Sequence, residues 1–103
     1  MNIAILYGGR SGEHEVSLLS ASSVVRNIDT TRHSIILIGI TKKGVWLLQD
    51  SSQIDTIKSN KDAVLEIKQT RDMISILPGG MRDRALLCIS HSSFSFLPCD
   101  VAF

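Results

Sequence analysis

The stretch NIAILYGGRSGEHEVSLLSASSVVRNI, Asn2 to Ile28, decides the fold. Asn2–Tyr7 is an apolar run with β-branched members, closed by Gly8-Gly9. Such a run reads as an inner strand covered on both faces. From Glu13 to Ile28 the period changes to that of a helix. Leu18, Ala21, Val25 and Ile28 fall on one helical face with Val24 beside it, and Ser17, Ser20, Ser23 and Asn27 sit largely elsewhere. Ser11 can cap this helix, and Glu13 and Glu15 lie in its first turn, where the helix dipole favours acids. Asp29-Thr30-Thr31 ends it.

Working outward, Ser34–Ile40 (SIILIGI) is a second continuous apolar strand. Strand, helix and strand in this order make a βαβ unit, with parallel strands and a right-handed crossover. Beyond Ile40 the pattern shortens. Lys42-Lys43-Gly44 reads as a hairpin turn into Val45–Leu48, with Trp46 as hairpin packing. Gln53–Asn60 reads as a short helix. Val64–Ile67, Met73–Leu77 and Ala85–Ile89 read as short strands. Pro78-Gly79-Gly80 marks a turn, and Phe94 and Phe96 alternate with serines as on a half-buried strand. The closing DVAF reads as the start of another parallel strand. The expected class is α/β: a Rossmann-like open sheet with a parallel core, plus a small hairpin-rich insertion.

The whole chain sets bounds on these readings. Its 103 residues suffice for one small domain, and 44% hydrophobic with 20% charged residues is an ordinary globular balance. A formal net charge of +1 gives no field that argues for nucleic acid or a membrane surface. The apolar start stops at Gly8, too short for a signal-peptide core or a bilayer span. A cytoplasmic protein is expected. Cys88 and Cys99 have neither metal nor redox spacing and read as buried reduced thiols.

The segment GGRSGEHEVS, Gly8 to Ser17, carries the chemistry. A dinucleotide fingerprint needs G-x-G-x-x-G, but these glycines fall as G-G-x-x-G. A phosphate loop ends in Lys-Ser/Thr, but Glu13-His14 stands here. Two first-turn carboxylates would also repel the phosphate that a bare helix start attracts. Two readings remain. In one, Gly-Gly makes a tight turn and the glutamates only complement the dipole. In the other, the strand-to-helix junction binds a ligand, as carboxyl ends of parallel strands do in open α/β sheets. A glutamate held there stays ionised, which suits gripping an ammonium group and not acting as a general base.

Asn2–Val25 resembles the amino terminus of the D-alanine–D-alanine ligases, ATP-grasp enzymes that make the peptidoglycan dipeptide. The family pattern is a strand, then Gly-Gly-x-Ser-x-Glu-x-Glu-Val-Ser, then a helix; Gly8, Gly9, Ser11, Glu13, Glu15, Val16 and Ser17 match it. RHSIILIGITKKGVW is similar to the family's second strand with its turn and aromatic. LPCDVAF resembles the strand that leads to a His-Gly-x-x-Gly-Glu-Asp-Gly segment. Asp50 to Arg84 carries no resemblance. The resemblance implies that Glu13 holds the ammonium of the first D-alanine, that Gly8 and Gly9 let backbone approach it, and that Ser11 shapes the site. Glu15 orders the turn or faces solvent.

The resemblance further implies a ligase reaction in the full-length parent, with ATP and Mg2+ (or Mn2+). ATP phosphorylates the first D-alanine's carboxylate, and the second amine attacks the acyl phosphate, giving dipeptide, ADP and phosphate. Residues 1–103 are then expected to be the amino-terminal, pre-ATP-grasp domain, incomplete at its carboxyl end, without the ATP-grasp domain and inactive alone. No catalytic, cofactor or metal residue is assigned within this chain. D-alanine is the expected substrate of the parent and a homodimer its expected state. The alternatives are a free-standing flavodoxin-like binding or signalling domain and a Rossmann cofactor module, the latter disfavoured by glycine spacing. His14 reads as a solvated first-turn residue, Arg10 as a turn residue that is solvated or meets an anion, and Ser90-His91-Ser92-Ser93 as a turn without the acidic orienter of a triad.

Overall fold

The computed structural model describes residues 1–10, 14–77, 84–90 and 93–103. They form, in chain order, β1 (Asn2–Gly8), α1 (His14–Asn27), β2 (Ser34–Ile40), β3 (Trp46–Leu48), α2 (Ser52–Ser59), β4 (Met73–Ile76), β5 (Leu86–Ser90), β6 (Ser93–Leu97) and β7 (Val101–Ala102). All the strands join one sheet in the order β6-β5-β4-β3-β2-β1-β7.

The parallel core is β7-β1-β2. Asn2 to Gly8 pair in register with Ser34 to Ile40, and Ile3 and Ala4 pair with Val101 and Ala102. Val101–Ala102 of DVAF therefore form a parallel strand, as expected. On the other side of β2 every pairing is antiparallel, through β3, β4, β5 and β6. The hairpin-rich part thus continues the sheet. It starts where the turn after Ile40 returns the chain: Thr41 N–H donates to the Val45 carbonyl at 2.9 Å, and Gly44 takes φ +88°.

Both described helices lie on one face. Leu18, Ala21 and Val25 of α1 and Ile57 of α2 pack on Ile3, Ile5, Tyr7 and Leu37. Alternate residues of β1 and β2, Ala4 and Ile38, face the other way and join Ile74, Leu86 and Cys88. Strands with both faces buried need continuous apolar runs, and β1 and β2 have them. Each fully buried aliphatic side chain here contributes about 1.5–3 kcal/mol. The helical face follows the expected stripe, with two changes. Val24 is exposed, and Ser22 is buried at 2% exposure. Ser22 is tolerated there because its hydroxyl is fully engaged, donating to the Leu18 carbonyl at 2.7 Å and accepting the Leu65 N–H at 2.8 Å.

The expected strand at Val64–Ile67 does not form. The segment pairs with no strand, and side chains hold it instead. Gln49 Nε2 donates to the Lys68 carbonyl at 2.9 Å, and its Oε1 accepts the Lys68 N–H at 2.8 Å. Gln53 treats Glu66 in the same way. A primary amide offers the donor and acceptor of a peptide group, so two glutamines replace a neighbouring strand. Phe94 and Phe96 do lie on a strand, β6, but both are exposed, at 67% and 41%. The Pro78-Gly79-Gly80 turn lies outside the described residues.

Candidate functional site at the carboxyl ends of the parallel strands

At the carboxyl end of β1 the chain must leave the sheet and enter α1 within a few residues. Gly8 and Gly9 allow it, at φ +95° and +106°, a region that side-chain-bearing residues rarely adopt. Their surroundings differ. A Cβ on Gly8 would lie 2.4 Å from the Ile40 carbonyl oxygen and 2.4 Å from Ile67 Cδ1, whereas one on Gly9 would meet no described residue within 4 Å. Gly8 is packed inside the protein, and no described residue crowds Gly9. Of the two glycines assigned to close approach, Gly9 is the one clear of the described residues.

The turn is tied down from three directions. Gly9 N–H donates to the Ile40 carbonyl at 2.8 Å, joining it to the end of β2. Gly8 N–H donates to Ser17 Oγ at 3.0 Å, so a serine one turn into α1 reaches back to β1. His14 Nδ1 lies 2.8 Å from the Gly9 carbonyl oxygen. A carbonyl can only accept, so Nδ1 carries the proton. Arg10 donates from Nε and Nη2 to the Lys43 carbonyl, at 3.1 and 2.7 Å. It bridges the turn to the β2–β3 connection while remaining exposed.

Beside this turn opens a cleft of about 590 Å³, lined by His14, Thr41, Lys42, Lys43, Val45, Ile67 and Gln69. A second cleft, of about 680 Å³, is lined by His14, Glu15, Leu18 and Leu19 of α1 and by Asp62 and Val64 to Ile67. Ile67 belongs to the segment clamped by Gln49 and Gln53. Tyr7 steadies that segment too, donating from its hydroxyl to the Glu66 carbonyl at 2.8 Å. Burial, with the Glu66 carboxylate nearby, pushes the Tyr7 phenol above its usual range, so it stays a donor.

Glu13 and Ser11 lie outside the described residues. His14 is their described neighbour and departs from the solvated reading, because it is half-buried and latched to Gly9. Ser17 matched the motif without a role and here binds Gly8. Ile67, Gln49 and Gln53 carried no sequence signal for this site, since no motif ties the short helix and strand expected there to the turn. His91 and Ser92 lie outside the described residues, and Ser90 donates to Asp72 Oδ1 at 2.7 Å. Among the described residues no group of three or more His, Cys, Asp or Glu could hold a metal ion. No described helix is long and apolar enough to cross a membrane.

The family model described as D-ala D-ala ligase N-terminus matches residues 2–101. The D-alanine–D-alanine ligase of Treponema denticola is 45% identical over 104 residues, which is 100% of this chain and 27% of that protein. Among solved structures, the VanG D-Ala:D-Ser ligase from Enterococcus faecalis is similar with a TM-score of 0.67 and 30% identity, over 99% of this chain and 27% of that one. The D-alanine–D-alanine ligase from Coxiella burnetii shares the fold, with a TM-score of 0.68 at 24% identity over 100% of this chain and 27% of its own. The chain therefore spans about a quarter of the length of these relatives.

Proposed function

Because the chain belongs to the D-alanine–D-alanine ligase amino-terminal family, we propose that residues 1–103 are the substrate-side, pre-ATP-grasp domain of an ATP-dependent D-alanine–D-alanine ligase. In this reading the Gly8–Ser17 turn receives the first D-alanine. Glu13 grips its ammonium, Gly9 offers open backbone, and Ser11 shapes the approach. The carrying observation is the turn's position. It stands at the carboxyl ends of β1 and β2, beside a cleft, with Gly9 open and Gly8 packed. Ligands of open α/β sheets bind at such ends.

ATP and magnesium belong to the proposed whole-protein reaction, in which ATP activates the first D-alanine's carboxylate. Among the described residues no cluster of His, Cys, Asp or Glu fits a magnesium ion. A cytoplasmic location and a homodimer are part of the same proposal.

The test is Glu13→Gln in a ligase carrying this domain. Losing one charge-assisted contact to an ammonium should cost roughly 1.5–3 kcal/mol, seen as a raised KM for the first D-alanine with the ATP KM unchanged. Unaltered D-alanine kinetics would reduce Glu13 to a helix-start residue. A wild-type protein without D-alanine-dependent phosphate release would return the domain to the flavodoxin-like binding reading.

A further inference from the structure

We infer that His14 is a positioning residue for the first-substrate site. Its ring ties the start of α1 to Gly9, on either side of the residues that the substrate ammonium meets. The inference rests on the reading that this turn receives that ammonium.

Three contacts carry it. His14 Nδ1 donates to the Gly9 carbonyl at 2.8 Å, closing a loop between the end of the glycine pair and the first residue of α1. The ring also packs on Gly8, since its Cε1 lies 3.1 Å from where a Gly8 Cβ would stand. Ser17 accepts the Gly8 N–H at 3.0 Å, so α1 reaches back to consecutive glycines through two side chains. His14 lines both clefts, as Ile67 does.

The physical need is clear from the glycines. A Gly-Gly turn has more backbone freedom than any other dipeptide and loses more on ordering. If the turn were free, each substrate would bear that ordering cost on binding. A side-chain bond across the loop removes it beforehand. The latch works in both protonation states of the ring, because Nδ1 donates in the cation and in one neutral tautomer. His14 is covalently next to Glu13, so the backbone leading to that carboxylate starts from a tethered residue.

The test uses the full-length ligase. His14→Phe keeps a planar ring over Gly8 but removes the donor, whereas His14→Asn keeps a donor at the reach of Nδ1. His14→Phe should raise KM for the first D-alanine about tenfold, with kcat and the ATP KM within about twofold, and His14→Asn should return to within about threefold of wild type. A merely structural role would lower thermal stability without this KM split or its rescue. In the same protein with 15N-labelled histidine, the neutral His14 ring should carry its proton on Nδ1. Wild-type D-alanine kinetics in His14→Phe, or a proton on Nε2, would overturn the latch. If the wild-type protein shows no D-alanine dependence, the ligase reading and the substrate role of His14 fall together, and the tautomer alone decides the latch.

Discussion

Gln53 and Glu66 bond to each other as neighbouring strands do: Gln53 Nε2 donates to the Glu66 carbonyl at 3.2 Å, and Glu66 N–H donates to Gln53 Oε1 at 2.9 Å. Gln49 does the same for Lys68, and the two glutamines touch each other at 3.4 Å. Both are buried, at 4% and 9% exposure. Gln49→Leu would keep the bulk but strand an N–H and a carbonyl of Lys68. These groups are part-buried, so stranding them costs the low end of about 1–3 kcal/mol. The expected loss is about 1 kcal/mol, read by chemical denaturation, with amide exchange faster at Lys68 than in β1. The double variant with Gln53→Leu should deviate from additivity, because the pair is in contact. Unchanged exchange at Lys68 would show that another element holds this segment.

Gly8 and Gly9 share a positive φ but not an environment, which separates packing from access. Gly8→Ala forces a Cβ to within 2.4 Å of the Ile40 carbonyl oxygen, a backbone atom that cannot swing away. Strained backbone alone costs about 1–3 kcal/mol, and the overlap adds to it. Among the described residues nothing crowds Gly9, so Gly9→Ala carries only the backbone term against them. Thermal melts should place Gly8→Ala well below Gly9→Ala. In a full-length ligase the order should reverse for substrate affinity per unit of stability lost, because the Gly9 methyl would stand where backbone approach is proposed. Equal melting points would mean that Ile67 and the β2 end yield easily.

The parallel core was legible because burial on both faces writes itself as apolar runs. NIAILY and SIILIGI became β1 and β2, and the 3.6-residue stripe between them became α1. The strand-to-helix turn was legible through Gly8-Gly9, but its contacts were not. His14 read as solvated because no period or charge in the sequence shows a ring folding back onto a carbonyl five residues earlier. Val64–Ile67 read as a strand from its short apolar run, of which Leu65 is 1% exposed and Val64 42%. That its partners are glutamine side chains is a tertiary fact, set by α2 and the end of β3. Ser22 was hidden for the same reason, since its partner Leu65 is 43 residues away.

Acid should weaken the fold through two turn carboxylates. Asp29 is held below the usual carboxylate range by the Thr31 hydroxyl and then by the Thr31 N–H. Asp50 is held low by the Ser52 N–H and then by its side chain. A folded pKa below the unfolded one means that the stabilisation is complete above the unfolded value, near 4. It is lost as pH falls through the lower folded value. Both groups are fully exposed, so the effect should be modest and smaller at high salt. Denaturation midpoints measured from about pH 6 to about pH 3 should fall less steeply in Asp29→Asn with Asp50→Asn than in the wild type. Parallel curves would assign the acid sensitivity to other carboxylates.

The two thiols should report on different depths of the fold. Cys88 is 4% exposed on β5, between Ser95 of β6 and Ile74 of β4, and belongs to the second buried cluster. Burial first, and the Asp72 carboxylate less strongly, push its thiol above the usual range, opposed by a hydrogen bond with Ser90. The thiolate is the reactive form, so burial slows alkylation twice, by access and by ionisation. Cys99 is half-buried in the link between β6 and β7. Under native conditions iodoacetamide should label Cys99 first, and Cys88 at a rate that follows the unfolded population as denaturant is added. Peptide mass spectrometry of a time course separates the two sites. Labelling of Cys88 as fast as Cys99 in the absence of denaturant would show that the β4–β6 part of the sheet opens independently of the parallel core.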